Sequence, residues 1–242
     1  MGPHVLVFGD SLSFHGPGGP CPADEPRLWP NVTAGALGGR ADLVAGIGWT
    51  ARDAWWSLTG DPRVWADLHH VDAVVLAVGS MDTLPSPLPT YLRTGLRYLR
   101  PDGFRRSVRA AYLAAQPRLS VAFRGRPAVL PAKLTVHHLD LAVEALRVLR
   151  PELPIFGVLP SVHRAGSYGG VHSARPGAAA ATAAWAARAA VPLLDLAAVV
   201  GDHVLSGAGN PDGMHWGWAG HEAVGHAMAE LMTPALHPGD VG

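Results

Sequence analysis

Five short apolar runs, each halted by glycine or proline and separated by helix-length stretches, constrain this chain more than any other feature. They fall at 4–8, 41–45, 72–78, 155–159 and 191–194, and the first four stop at Gly9, Gly46-Ile47-Gly48, Gly79 and Pro160. The runs are continuously apolar rather than alternating, which is the pattern of strands covered on both faces and hence of a parallel sheet with crossover helices. Helical segments are predicted at 28–37, from Thr50 onward, at 134–149, at 178–190 and at 219–232, with Thr50 and Asp53 spaced for a capping box in its Asp form. The expectation is an α/β chain with a central five-stranded parallel sheet. Residues 84–134 exceed what a crossover needs and read as an insertion with helices near 91–99 and 104–115 that folds over the sheet edge. The whole, 1–242, is expected to be one domain.

Composition narrows the function classes. Hydrophobic residues make up 48% and charged residues 16%, which excludes a disordered chain. No apolar run approaches the roughly 18 residues of a membrane span. The start, Met1 to His4, lacks the basic flank and cleavage site of an export signal, and Cys21 is the one cysteine, so a cytoplasmic protein without a disulfide framework is expected. Net charge is zero but segregated: 84–134 holds ten of the nineteen Lys and Arg against Asp102 alone, about +9, leaving about −9 elsewhere. A solvated face is one reading, and a surface for an anionic small molecule is the other. Nothing points to nucleic acid.

In an open parallel sheet, ligands bind beyond the carboxyl ends of the strands. The segments there are Asp10-Ser11, Gly46-Ile47-Gly48, Gly79-Ser80-Met81-Asp82 and the loop 160–177, joined by Asn210-Pro211-Asp212-Gly213-Met214-His215 before the last helix. Ser11 two positions past a strand-ending glycine sits where a hydroxyl is held rigid and exposed. Taken alone, Asp10 and Ser11 are equally a helix cap. Asp212 and His215, three apart in a turn, can face one site, as acyl transfer by a serine requires. His221 and His226 stand five apart, about 140° around a helix, so no metal site is expected there. His69-His70 and His137-His138 read as surface or capping residues. The glycines form no dinucleotide or phosphate-loop fingerprint, so no cofactor is expected.

Gly9-Asp10-Ser11-Leu12 and Asp212-Gly213-Met214-His215, at opposite ends of the strand pattern, resemble the first and last blocks of the SGNH (GDSL) hydrolase superfamily. The resemblance implies a flavodoxin-like three-layer α/β/α sandwich with Ser11 as nucleophile, His215 as base and then acid, and Asp212 as its orienter. It further implies an oxyanion hole from the N–H groups of Ser11 and of Gly48 (or Gly46). The third block departs from the pattern, with Met81 where an asparagine donor is usual, which leaves the Ser80 hydroxyl as the nearest replacement. Asp10 and Asp82 at strand ends, and Trp216 beside His215, are candidate substrate contacts; bracing and core packing are the competing roles. The stretch Val5 to Pro17, Leu28-Trp29-Pro30, the Met81 block and Asp212 to Trp216 also resemble the actinobacterial octanoyltransferases of methylglucose lipopolysaccharide synthesis. That likeness implies octanoyl transfer from acyl-CoA, as co-substrate, to a sugar hydroxyl of diglucosylglycerate, an anionic glycoside acceptor. An esterase releasing the acyl group to water, and a sugar- or anion-binding protein without chemistry, are the alternatives.

Overall fold

A computed structural model of the chain describes residues 2–88, Leu92, Gly95 and 98–236. Its centre is β1 (His4–Gly9), every residue of which is buried. β1 pairs in parallel with β2 (Arg40–Ala45) on one side and β3 (Ala73–Ala77) on the other. β4 (Ile155–Leu159) and β5 (Leu193–Asp195) continue the sheet, giving the parallel order 2-1-3-4-5. This order places a topological switch between β1 and β3, and the crevice beyond their carboxyl ends is where such sheets bind ligands.

Alternation along the strands feeds two cores. Leu6 and Phe8, with Val74 and Leu76, face α2 (Ala51–Gly60), α3 (Pro62–Asp67), α5 (Ala132–Leu149) and α6 (Arg175–Ala189) through Leu58, Val64, Leu146 and Trp185. Val5, Val7 and Val75 face α1 (Trp29–Ala36), α7 (Leu196–Ser206) and α8 (Trp218–Leu236) through Trp29, Val200, Val224 and Met228. Each of these side chains, fully removed from water, contributes about 1.5–3 kcal/mol. Burial on both faces is the reason the central strands β1, β3 and β4 read as unbroken apolar runs. The three layers are the α/β/α sandwich expected. The Thr50–Asp53 pair closes as anticipated, the Asp53 carboxylate accepting the Thr50 N–H at 2.8 Å.

Two helices have no counterpart in the sequence reading. One is α3, a short turn of helix capped by Asp61, whose carboxylate accepts the Arg63 N–H. The other is α7, capped by Asp195 and stopped by Gly207 at φ +90°. The insertion leaves the sheet through a backbone neck. Val129 N–H donates to the Leu84 carbonyl and Leu130 N–H to that of Asp82, while Ser86 N–H donates to the Pro127 carbonyl. Its long helix, α4 (Asp102–Ala122), extends the expected 104–115 segment at both ends and buries little beyond Gln116 and Ser120. Val121 and Pro117 pack on Gly169, so α4 buttresses the loop after β4. The helix expected at 91–99, with Arg93 and Arg97, lies largely outside the described residues.

Candidate active site

The chain past β1 is forced into a sharp turn. A Cβ on Gly9 would meet Ser13 Oγ at 2.2 Å, so only glycine lets the strand enter the three-residue turn 11–13. Asp10 caps that turn, its carboxylate accepting the Leu12 N–H at 2.9 Å and the Met81 N–H. The Ser11 N–H is left without a protein acceptor among the described residues, and the Ser11 hydroxyl stands half-buried at the sheet's carboxyl edge.

The second part arrives from the other end of the chain. The Asp212 carboxylate accepts the N–H groups of Met214 at 2.8 Å and His215 at 3.0 Å, folding the turn onto itself, while its other oxygen lies 2.5 Å from His215 Nδ1. His215 Nε2 lies 2.8 Å from Ser11 Oγ. With Nδ1–H donated to the carboxylate, Nε2 presents its lone pair to the serine hydroxyl. Burial holds the His215 imidazole below its usual value, and the Asp212 carboxylate opposes that shift. Partial burial pulls the Asp212 carboxyl upward, but its hydrogen bonds from His215 and Met214 outweigh this and hold it below the ordinary carboxylate range. The arrangement is a neutral base and an ionised orienter beside a hydroxyl. It can move a proton off Ser11 and return it to a leaving group.

The remaining candidates separate clearly. Gly48, at φ +72°, turns the chain after β2, and its N–H has no acceptor among the described residues. The Met81 methyl lies beside it, 3.7 Å from where a Gly48 Cβ would stand. The Ser80 hydroxyl oxygen accepts the Ser161 N–H at 3.0 Å, which leaves its own proton to donate. Asp82 is fully buried and cannot meet a substrate. Its carboxylate caps α2 by accepting the Ala51 N–H and also accepts the Thr135 hydroxyl at 2.7 Å, so it is a brace. Trp216, 1% exposed, is packed edge-on against His221 in the core and does not line the pocket beside Ser11. Asp10 does line the pocket, but its carboxylate is engaged by backbone N–H groups of the site itself, Leu12 and Met81 among them. Burial pushes the Asp10 and Asp82 carboxyls up to about 7. His221 is buried and His226 exposed, on different faces of α8.

Beside Ser11 opens a pocket of about 320 Å³, counting its mouth. Its apolar wall is Leu12, Met81, Leu84, Val162 and Met214. His163 and His172 from the loop after β4 complete it, and burial lowers them to about 4 and about 3, so both are neutral. His172 Nε2 meets the Thr83 hydroxyl at 2.7 Å, and that hydroxyl donates to the Ser80 carbonyl. The sequence pointed to loop 160–177 as a whole but to neither histidine, since nothing periodic or spaced marks them. Of the insertion, Leu84 alone lines this pocket among the described residues; Arg106, Arg109, Arg118, Arg124 and Arg126 are exposed.

A parallel sheet of this order, with a serine turn after β1 held against an Asp-x-x-His turn before the last helix, defines a serine-dependent acyl hydrolase or transferase of the three-layer α/β class. Residues 7–223 match the GDSL-like lipase/acylhydrolase family, and the chain belongs to it. The chain is 50% identical over 234 residues, 97% of its length and 95% of the other's, to a diglucosylglycerate octanoyltransferase of Mycolicibacterium hassiacum. It is 49% identical to one of Mycobacterium tuberculosis, covering 97% and 92% of the two chains. Similar solved folds include a lipase/acylhydrolase from Enterococcus faecalis (TM-score 0.59, 13% identity, covering 99% of this chain and 100% of that one). Another is a carbohydrate acetylesterase family member from Sinorhizobium meliloti (TM-score 0.59, 18% identity, covering 97% and 99%). No described helix is long and apolar enough to cross a membrane.

Proposed function

We propose that this chain is an octanoyltransferase that carries an octanoyl group from acyl-CoA to a sugar hydroxyl of diglucosylglycerate through an ester on Ser11. The observation that carries the reading is the Ser11–His215–Asp212 chain of contacts in a protein half identical, over nearly its full length, to proteins of that name. In the first half-reaction Ser11 Oγ attacks the thioester carbonyl as His215 Nε2 takes its proton. The oxyanion that forms is held by the free N–H groups of Ser11 and Gly48, with the Ser80 hydroxyl as a third donor. The carbon–sulfur bond then breaks, and His215 returns the proton to the departing thiol. In the second half-reaction the acceptor hydroxyl gives its proton to His215 and attacks the Ser11 ester. Ser11 Oγ leaves and recovers the proton.

The apolar wall of Leu12, Met81, Leu84, Val162 and Met214 is suited to an alkyl chain. The exposed arginines of the insertion are suited to anionic groups of donor or acceptor that extend beyond the pocket. Mass spectrometry of products from octanoyl-CoA, with and without diglucosylglycerate, tests the reading for wild type and Ser11→Ala. Acylated sugar that requires both the acceptor and Ser11 is expected. Free octanoate at a rate indifferent to acceptor would overturn transfer in favour of hydrolysis.

A further inference from the structure

His15 lies flat on the catalytic histidine: the His15 and His215 rings are 3.9 Å apart and inclined by 15°. Few contacts are better placed to fix the plane of a base, because rotation of His215 about its side chain would break the stack together with the Ser11 and Asp212 contacts. The stack also places a π face beside the ring that becomes an imidazolium when Ser11 gives up its proton.

The backbone that carries His15 is anchored from two directions. His221 Nδ1 accepts the Trp29 N–H at 3.3 Å, so its other nitrogen, Nε2, is the protonated one and donates to the His15 carbonyl at 3.3 Å. From the Asp212 turn, the Asn210 side-chain amide donates to the Pro17 carbonyl at 3.0 Å and to that of Gly16 at 3.4 Å. The same turn that supplies Asp212 therefore registers the segment that supplies His15.

The tautomer of His15 follows from its partner. Its Nδ1 lies 3.0 Å from the Gly16 carbonyl oxygen, which only accepts, so Nδ1 carries the proton. In the neutral ring Nε2 is then a lone-pair acceptor. It has no protein partner among the described residues and is not sealed from solvent. A hydrogen-bond acceptor next to the base is suited to the hydroxyl of a polyol. We propose that His15 is the first contact of the acceptor subsite, its ring holding His215 in plane and its Nε2 accepting a hydrogen bond from a hydroxyl of the incoming sugar adjacent to the one that is acylated. This rests on the sugar-acceptor reading above.

The test separates the two half-reactions in wild type, His15→Phe and His15→Ala. First-turnover release of CoA from octanoyl-CoA reports acylation of Ser11, and steady-state kinetics against diglucosylglycerate report the acceptor. His15→Ala should slow the first turnover about tenfold, and His15→Phe, which restores a flat ring, should bring it back to within about threefold of wild type. Both variants should raise KM for diglucosylglycerate about tenfold, because neither has the Nε2 acceptor. An unchanged first turnover in His15→Ala overturns the stacking role. A wild-type KM for the sugar in His15→Phe overturns the hydroxyl contact. If wild type forms no acylated sugar at all, the transferase reading and with it the hydroxyl contact fall, while the first-turnover comparison still decides the stack.

Discussion

Met81 lays its terminal methyl against Gly48, 3.7 Å from where a Cβ on that glycine would stand. The residue at the position of the family's usual asparagine thus lines both the pocket beside Ser11 and the Gly48 turn. Its own N–H is committed to Asp10, so it contributes no donor in place of the lost amide. Substituting Met81→Asn returns a side-chain donor to the hole and removes a flexible apolar group from the pocket. Such a donor is worth up to about 3–4 kcal/mol where it is optimally aimed. For acetyl and butyryl donors, acylation of Ser11 should rise about tenfold, and the preference for octanoyl should narrow. A chain-length profile of kcat/KM measures this, and an unchanged profile would remove Met81 from the acyl wall.

The acid side of the pH–rate profile follows from the environment of His215. Burial holds that imidazole below its ordinary value of 6.5, and the base works only when neutral. Activity should therefore persist below pH 6.5 and fall as pH drops through the lowered value. Asp212→Asn removes the carboxylate that opposes the shift and the acceptor that fixes the tautomer. The acid limb should move lower still, while kcat falls by about 10³ to 10⁴. An acid limb that moves upward in Asp212→Asn would contradict the orientation described.

Asp82 gives a stability test independent of activity. Its carboxyl is raised by burial from 3.8 to about 7, so over that interval the folded chain holds a proton that the unfolded chain has released. Stability from this group is greatest below the unfolded value and is lost as pH rises through about 7. An asparagine at 82 can accept the Ala51 N–H and donate to Thr135 without titrating. Asp82→Asn should resemble wild type in its urea midpoint near about pH 4 and exceed it by an increasing margin toward about pH 8. A constant difference across that range would show that Asp82 does not titrate in the folded state.

The sheet was legible because burial on both faces writes itself into the sequence as unbroken apolar runs, and Gly9, Gly79 and Pro160 punctuate them. The Ser11 and Asp212–His215 turns were legible because short-range chemistry fixes them: a glycine at a crowded turn, and a carboxylate three residues before its histidine. The helix Leu196–Ser206 carried an Asp195 cap and a Gly207 stop that a reader could have used, but it follows β5 so closely that the two apolar stretches merge. Of the two roles open to each of Trp216 and Asp82, substrate contact or packing and bracing, the structure shows the second, because closeness in sequence to His215, or to a strand end, does not say which way a side chain points. His15, His163 and His172 carried no signal at all. Their placement depends on contacts with residues some 200, 2 and 89 positions away, through the His215 ring, the Ala165 N–H and the Thr83 hydroxyl.

The insertion is best tested through its charge. The α4 helix exposes Arg106, Arg109 and Arg118, with no ion pair to any of them among the described residues, while its far end props the loop that carries His163 and His172. If the arginines act on a donor's anionic groups, reversing them to glutamate should raise KM for octanoyl-CoA about tenfold, since exposed pairs are worth about 0.2–1 kcal/mol each. The wild-type KM should also climb with salt, and that dependence should flatten in the triple variant. An uncharged octanoyl ester supplies the same acyl group without the phosphates. A KM increase confined to octanoyl-CoA locates the effect in charge recognition. An equal loss with both donors would instead mean that α4 acts on the reaction only through the loop it supports.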